Sequence, residues 1–118
     1  MNFVIVFGRL GRDPERRSTR DGRVVCNLRV ATDFKSREGE TRTEWHDVVV
    51  WGETARACAD HLKSGRQVAV QGRLQTRSWD DDAGQKRWRT EIVATRVEFI
   101  SGLSPDRPAV APAAALPF

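Results

Sequence analysis

Tyrosine is absent from these 118 residues, although four tryptophans and five phenylalanines are present. A short chain that omits the phenol and keeps the indole is using large flat rings selectively. Only two cysteines occur, Cys26 and Cys58, too few for the disulfide framework of a small secreted domain, and both are expected as buried thiols. The two histidines, His46 and His61, give neither zinc spacing nor a Ser/His/Asp arrangement, so no metal, cofactor or catalytic residue is expected. His46 is expected to be a packed or interface histidine. No stretch approaches the roughly 20 apolar residues that a membrane-crossing helix needs. The opening run from Phe3 to Phe7 lacks the basic start and the length of a secretory signal, so the cytoplasm is the expected location.

What the sequence has in abundance is arginine. Lysine and arginine number 20 against 16 acidic residues, a net charge of +4, and Lys35, Lys63 and Lys86 are the only lysines. The arginine fork suits phosphate and stacks on flat rings, which favours a nucleic-acid partner over a membrane surface. A charge of this size is also what a solubilising surface carries, so the balance alone does not decide. The length allows one small domain and a tail.

Residues 3–10 form a continuous apolar run, expected as a strand covered on both faces and bent at Gly8. Residues 11–22 are turn-rich and charged. Residues 24–31 alternate, with Val24, Cys26, Leu28 and Val30 on one face and Val25, Asn27, Arg29 and Ala31 on the other. Residues 33–43 are expected as an exposed loop. Residues 44–52 place Trp45, Asp47, Val49 and Trp51 on one face and His46, Val48 and Val50 on the other. Between Gly52 and Gly65, Ala55, Cys58, Ala59 and Leu62 fall on one helical stripe, with Gly65 as the expected C-terminal cap. Residues 67–76 resume alternation, Val68, Val70 and Leu74 inward and Gln71, Arg73 and Gln75 outward. A long hairpin turning around Asp82 to Gly84 leads to a fifth strand over 90–100. The order strand, strand, strand, helix, strand, strand predicts an all-β fold with one short helix, the five-stranded oligonucleotide-binding (OB) Greek-key barrel, over residues 1–100. Residues 101–118, rich in proline and alanine, are expected as a disordered tail.

Trp45 and Trp51 share a strand face, Trp79 and Trp88 flank the long hairpin, and Arg73, Arg77, Lys86, Arg87 and Arg89 lie between the rings. Flat rings beside a basic groove are what single-stranded nucleic acid without sequence preference requires, because every base offers a π face. The alternative, that Trp45 and Trp51 fill a core, is weakened by Asp47 on their face: a carboxylate between core rings would be costly, whereas on a wet groove it can pair with Arg29.

The run TEWHDVVVWGETARACADHLKSGRQVAVQGRLQTRSW over 43–79 strongly resembles the bacterial single-stranded DNA-binding proteins. So do GRLGRDPE (8–15), VVCNLRVAT (24–32) and DDAGQKRWRTEIVA (81–94). The resemblance implies that Trp45, Trp51 and Trp79 stack with bases and that the barrel assembles as a homotetramer. It further implies that the chain, without catalysis, coats single strands exposed in replication, repair and recombination. Phe34 lies near a further family aromatic, and Asp47 departs from the pattern, since a basic residue suits that face better. The family's tail ends in an acidic run and a hydrophobic tip that docks on replication and repair enzymes. Here Leu116, Pro117 and Phe118 keep the tip, while alanines stand where the acids would be.

Two other functions fit parts of the sequence. One is an RNA-binding barrel of the same fold, since stacking does not read the 2′-hydroxyl. The other is a metal-dependent nuclease using Asp80, Asp81 and Asp82, against which a solvated hairpin turn is the simpler reading.

Overall fold

Even-numbered residues of the first strand, Val4 and Val6, pack towards a core, and the strand pairs in turn with two different neighbours, as the computed structural model shows. That model describes residues 1–100. The tail over 101–118, with Leu116, Pro117 and Phe118, lies outside the described residues.

The elements are β1 (Val4–Leu10), β2 (Glu15–Ser18), β3 (Val24–Lys35), β4 (Thr41–Trp51), α1 (Gly52–His61), β5 (Gln67–Asp80) and β6 (Lys86–Phe99). The sheet order is β1-β5-β6-β4-β3-β2, and an additional β1–β3 pairing closes β1, β5, β6, β4 and β3 into a barrel. One helix between the third and fourth barrel strands completes the OB topology. Closure rests on two short contacts: β4 and β6 run parallel through Val48–Ile92 and Val49–Val93, and β1 meets β3 at Arg9–Ala31 and Leu10–Val30.

Gly8 is where β1 turns from β5 towards β3. A Cβ there would overlap the Ala31 carbonyl oxygen, and one on Gly72 would overlap that of Val93. These glycines let barrel backbones approach more closely than any side chain permits.

The core joins the even residues of β3 and β4 (Cys26, Leu28, Val30, Val48, Val50) to Leu10, Val68, Val70, Ile92 and the buried stripe of α1. Burying each Val or Leu side chain contributes about 1.5–3 kcal/mol. Cys26 and Cys58 are free and buried, and burial pushes the Cys58 thiol up to about 12. In β6, Arg96 faces Gln71 while Ala94 faces Gly72, so Thr95 is an extra residue whose hydroxyl donates to the Gln71 carbonyl at 3.0 Å. The bulge reverses the strand's parity. Glu91 and Val93 before it and Arg96 and Glu98 after it therefore share the outward side.

Several expectations are corrected. β1 is not covered on both faces in the single chain, because Phe3, Ile5 and Phe7 remain 57%, 64% and 42% exposed. The charged stretch 11–22 contains a strand, β2, whose four residues pair with β3 but are all exposed, so they carry no apolar alternation. Most of the expected loop 33–43 is hairpin arm, leaving Ser36–Glu40 as the turn. The arms extend beyond the core, and their one large apolar residue, Phe34, is exposed. Leu74 has the inward parity but is 47% exposed, because β5 has passed the barrel's end there. The helix is capped at Leu62 rather than Gly65. Gly65, at φ +90°, instead serves the turn to β5 and donates its N–H to the Leu10 carbonyl at 2.8 Å.

Gly8→Ala should therefore lower unfolding free energy by about 1–3 kcal/mol, the usual cost of overpacking. Urea denaturation checks this, and an unchanged midpoint would show that the β1 bend has room to spare.

Candidate nucleic-acid interface

Pairing across β3, β4, β6 and β5 puts their outward residues on one continuous surface. From β3 come Val25, Asn27, Arg29 and Ala31, directly opposite Trp51, Val49, Asp47 and Trp45 of β4. Val49 pairs with Val93, and Arg73, Gln75, Arg77 and Trp79 of β5 face Val93, Glu91, Arg89 and Arg87 of β6. The inward residues of these strands supply the core, so this face points away from it, with Val25, Ala31 and Glu91 buried beneath its larger side chains.

Trp45, Trp51 and Trp79 are 48%, 40% and 41% exposed, which rules out a core role for any of them. Each has a guanidinium above its ring: Arg29 lies 5.1 Å from the Trp45 centroid, Arg23 4.8 Å from Trp51 and Arg77 5.2 Å from Trp79. These are cation–π distances. The Trp45 ring also lies against Gly11, where a Cβ would overlap it, and the Gly11 N–H donates to the Arg29 carbonyl at 2.9 Å. Beside the Trp51 ring lies a cleft with an apolar floor of Val25, Val49 and Val93. Its walls are Trp51, Arg17, Gln75, Arg77 and Glu91.

Carboxylates fix the arginines. Arg89 Nη2 lies 2.9 Å from Asp47 Oδ1, and Arg29 Nη1 lies 4.0 Å from the same oxygen. The closer partner is thus Arg89, across the parallel β4–β6 seam, rather than Arg29. Arg77 Nε donates to Glu91 Oε1 at 2.8 Å, and Glu91 is buried at 7% exposure. Arg87 Nε donates to Asp81 Oδ2 at 2.9 Å. Asp81 also accepts from the backbone N–H groups of Gln85 and Ala83, and the Gln85, Arg87 and Ala83 bonds hold its carboxyl below the usual range. That carboxylate is occupied in shaping the hairpin turn. Asp33, on the β3–β4 arm, is likewise lowered by hydrogen bonds from Arg9 and then Thr43.

The structure brings together Trp45, Trp51, Trp79, Arg29, Arg73, Arg77, Arg87 and Arg89. It does not join Trp88 and Lys86 to them. These pair with Ser78 and Asp80, at even positions on the other side of the β5–β6 hairpin, and Trp88 is 65% exposed there. Phe34, 47% exposed, pairs with Arg42 on the parity opposite to Trp45. His46 bonds Thr32 Oγ1 through Nε2 at 2.8 Å, away from the tryptophans. Sequence reasoning missed Arg17 and Arg23, because it had no strand over 15–18 to carry one and lead to the other. It also missed Glu91 and the valine floor, for which only strand parity gave a signal. Among the described residues no group of three or more His, Cys, Asp or Glu could hold a metal, and no helix is long and apolar enough to cross a membrane.

A barrel of this topology carrying rings and arginines on one open sheet face is an OB-fold of the nucleic-acid-binding type. The model of the Single-strand binding protein family matches residues 1–100, and the chain belongs to that family. It is 50% identical over 105 residues to Single-stranded DNA-binding protein 1 of Chlorobaculum tepidum, covering 85% of this chain and 65% of that protein. It is 43% identical over 102 residues to the single-stranded DNA-binding protein of Caldanaerobacter subterraneus subsp. tengcongensis, covering 85% and 68%. The chain thus spans about two thirds of the length of these relatives. Among solved structures it is similar to a Plasmodium falciparum SSB in complex with ssDNA. There the TM-score is 0.77 and the identity 29%, over 86% of this chain and 96% of that one.

The Arg77–Glu91 pair sets a limit on mutagenesis of this face. Arg77→Ala should cost about 1–3 kcal/mol of stability, because it strands a buried carboxylate. Adding Glu91→Gln should recover most of that loss in a thermal melt. A double variant no more stable than Arg77→Ala alone would show that the carboxylate is not the source.

Proposed function

We propose that residues 1–100 are a domain that binds single-stranded DNA without sequence preference and without a catalytic step. Bases would stack on Trp45, Trp51 and Trp79, and Arg29, Arg73, Arg77, Arg87 and Arg89 would take phosphates. The observation that carries this reading is the row of exposed tryptophans on one sheet face, each with an arginine above its ring. Family membership and the likeness to a protein described in complex with ssDNA support it. Phe34, Lys86 and Trp88 would touch only a strand that wraps around the two hairpin arms. The use of Asp81 in its turn leaves the nuclease reading without the carboxylate at its centre.

The proposal extends to assembly and setting. Phe3, Ile5 and Phe7 form an apolar row on the outward side of β1, next to Gln71 and Ala69 of β5. Such a row fits a contact between copies of the chain, and the homotetramer implied by the family resemblance would bury it. A cytoplasmic role in coating strands during replication, repair and recombination follows from the same resemblance. In it, 101–118 would be a tail whose Leu116, Pro117 and Phe118 engage partner enzymes.

Trp51→Ala should weaken oligo-dT binding by about 1–3 kcal/mol at little cost in melting temperature, and Trp88→Ala should weaken it less. Arg73→Ala should make the log–log salt dependence shallower by about 0.7 if Arg73 holds one phosphate. Fluorescence anisotropy at several salt concentrations measures all three. Equal losses at Trp51 and Trp88 would contradict the choice of face. For assembly, Ile5→Asp should reduce the mass seen by light scattering, and an unchanged mass would remove β1 from the interface.

A further inference from the structure

Most arginines on or beside this face are already paired within the chain. Arg23 is held by Asp21, Arg77 by Glu91, Arg87 by Asp81, and both Arg29 and Arg89 by Asp47. Asp21 and Asp81 belong to turns, and Glu91 is buried. Asp47 differs from all three. It stands on the open face in the middle of β4, two residues from Trp45, and it alone serves two arginines. Its side chain is 29% exposed, and those of Arg29 and Arg89 are 42% and 41% exposed. All three are therefore within reach of an incoming strand.

Two consequences follow from the geometry. An arginine whose fork is shared with a carboxylate presents less net charge to a phosphate, and it releases fewer counterions when a phosphate arrives. A phosphate bound by Arg29 or Arg89 would also lie within a Debye length of the Asp47 charge, which stays behind and repels it. In addition, Arg29 sits over the Trp45 ring at 5.1 Å, so the group that Asp47 helps to hold covers a surface on which a base would stack.

We propose that Asp47 is an internal counter-ion that competes with phosphate for Arg29 and Arg89, and so sets how tightly and how salt-dependently the strand is held. This rests on the single-strand-binding reading above. Ion pairs that solvent still reaches contribute little to stability, so removing the half-buried Asp47 acts mainly on binding. A carboxylate whose job was to aim the two arginines would give the opposite sign.

The test is anisotropy with oligo-dT on the full-length chain across a salt series. Asp47→Asn should bind about 2- to 5-fold tighter than wild type, a factor typical of one freed surface charge pair. Its salt dependence should be steeper by about 0.7, equivalent to one further phosphate neutralised. Asp60→Asn, the same charge change on the exposed side of α1, should leave both quantities unchanged. Arg89→Gln should weaken binding more in the Asp47→Asn background than in wild type. Weaker binding by Asp47→Asn, or a gain matched by Asp60→Asn, overturns the proposal. Asp47→Ser gives the same comparison should the asparagine variant fold poorly. Elution from heparin–agarose separates this failure from failure of the underlying reading, because it needs no bases. Later elution of Asp47→Asn than of Asp60→Asn is expected even if wild type ignores oligo-dT, and equal elution overturns the proposal.

Discussion

Two-residue alternation in β4 is the constraint on which the rest of this molecule depends. Val48 and Val50 go into the core beside Cys26, Leu28 and Val30, and their burial leaves Trp45, Asp47, Val49 and Trp51 no choice of side. A slip of one residue would bury a carboxylate and expose two valines, so the core fixes the register and the register fixes the face. The parallel contact of β4 with β6 then sets Val93 beside Val49, which brings Arg89 to Asp47. The site is the outer surface of the same strands that make the core.

Charge on that surface is arranged rather than merely abundant. The arginines sit over rings and against carboxylates, so the exposed rings stay solvated at their edges and the positive field is locally compensated. This arrangement holds down purely ionic attraction, and the guanidinium over each ring covers one of the surfaces on which a base would stack. Binding built in this way is tolerant of sequence, because neither π faces nor phosphates distinguish one base from another.

Much of this was legible in the sequence because alternation and core packing coincide wherever strands border the barrel interior. The faces of β3 and β4, the helical stripe of α1 and the hairpin turn near Asp82 to Gly84 all carried a period or a turn signal. Where strands leave the barrel that signal vanishes. In β2, the long arms of the β3–β4 hairpin and the part of β5 around Leu74, pairing continues outside the core, and an apolar residue there, such as Phe34 or Leu74, does not mark a buried face. The Thr95 bulge shows the same limit, since it reverses which residues of β6 face out and nothing in TEIVATRVEFI announces it. Trp88 and Trp79 looked equivalent by composition, and only their register against β5 and β6 separates them.

The central claim, that exposed tryptophans on this face take bases, is tested most directly by the intrinsic fluorescence of the unmodified chain. Titration with oligo-dT should quench it to a saturating limit, because a stacked base alters the surroundings of Trp45, Trp51 and Trp79. An abasic strand of the same length, with the phosphates and no π faces, should quench far less at equal occupancy. Equal quenching by the two strands, or none from oligo-dT at concentrations where anisotropy shows binding, would contradict the account.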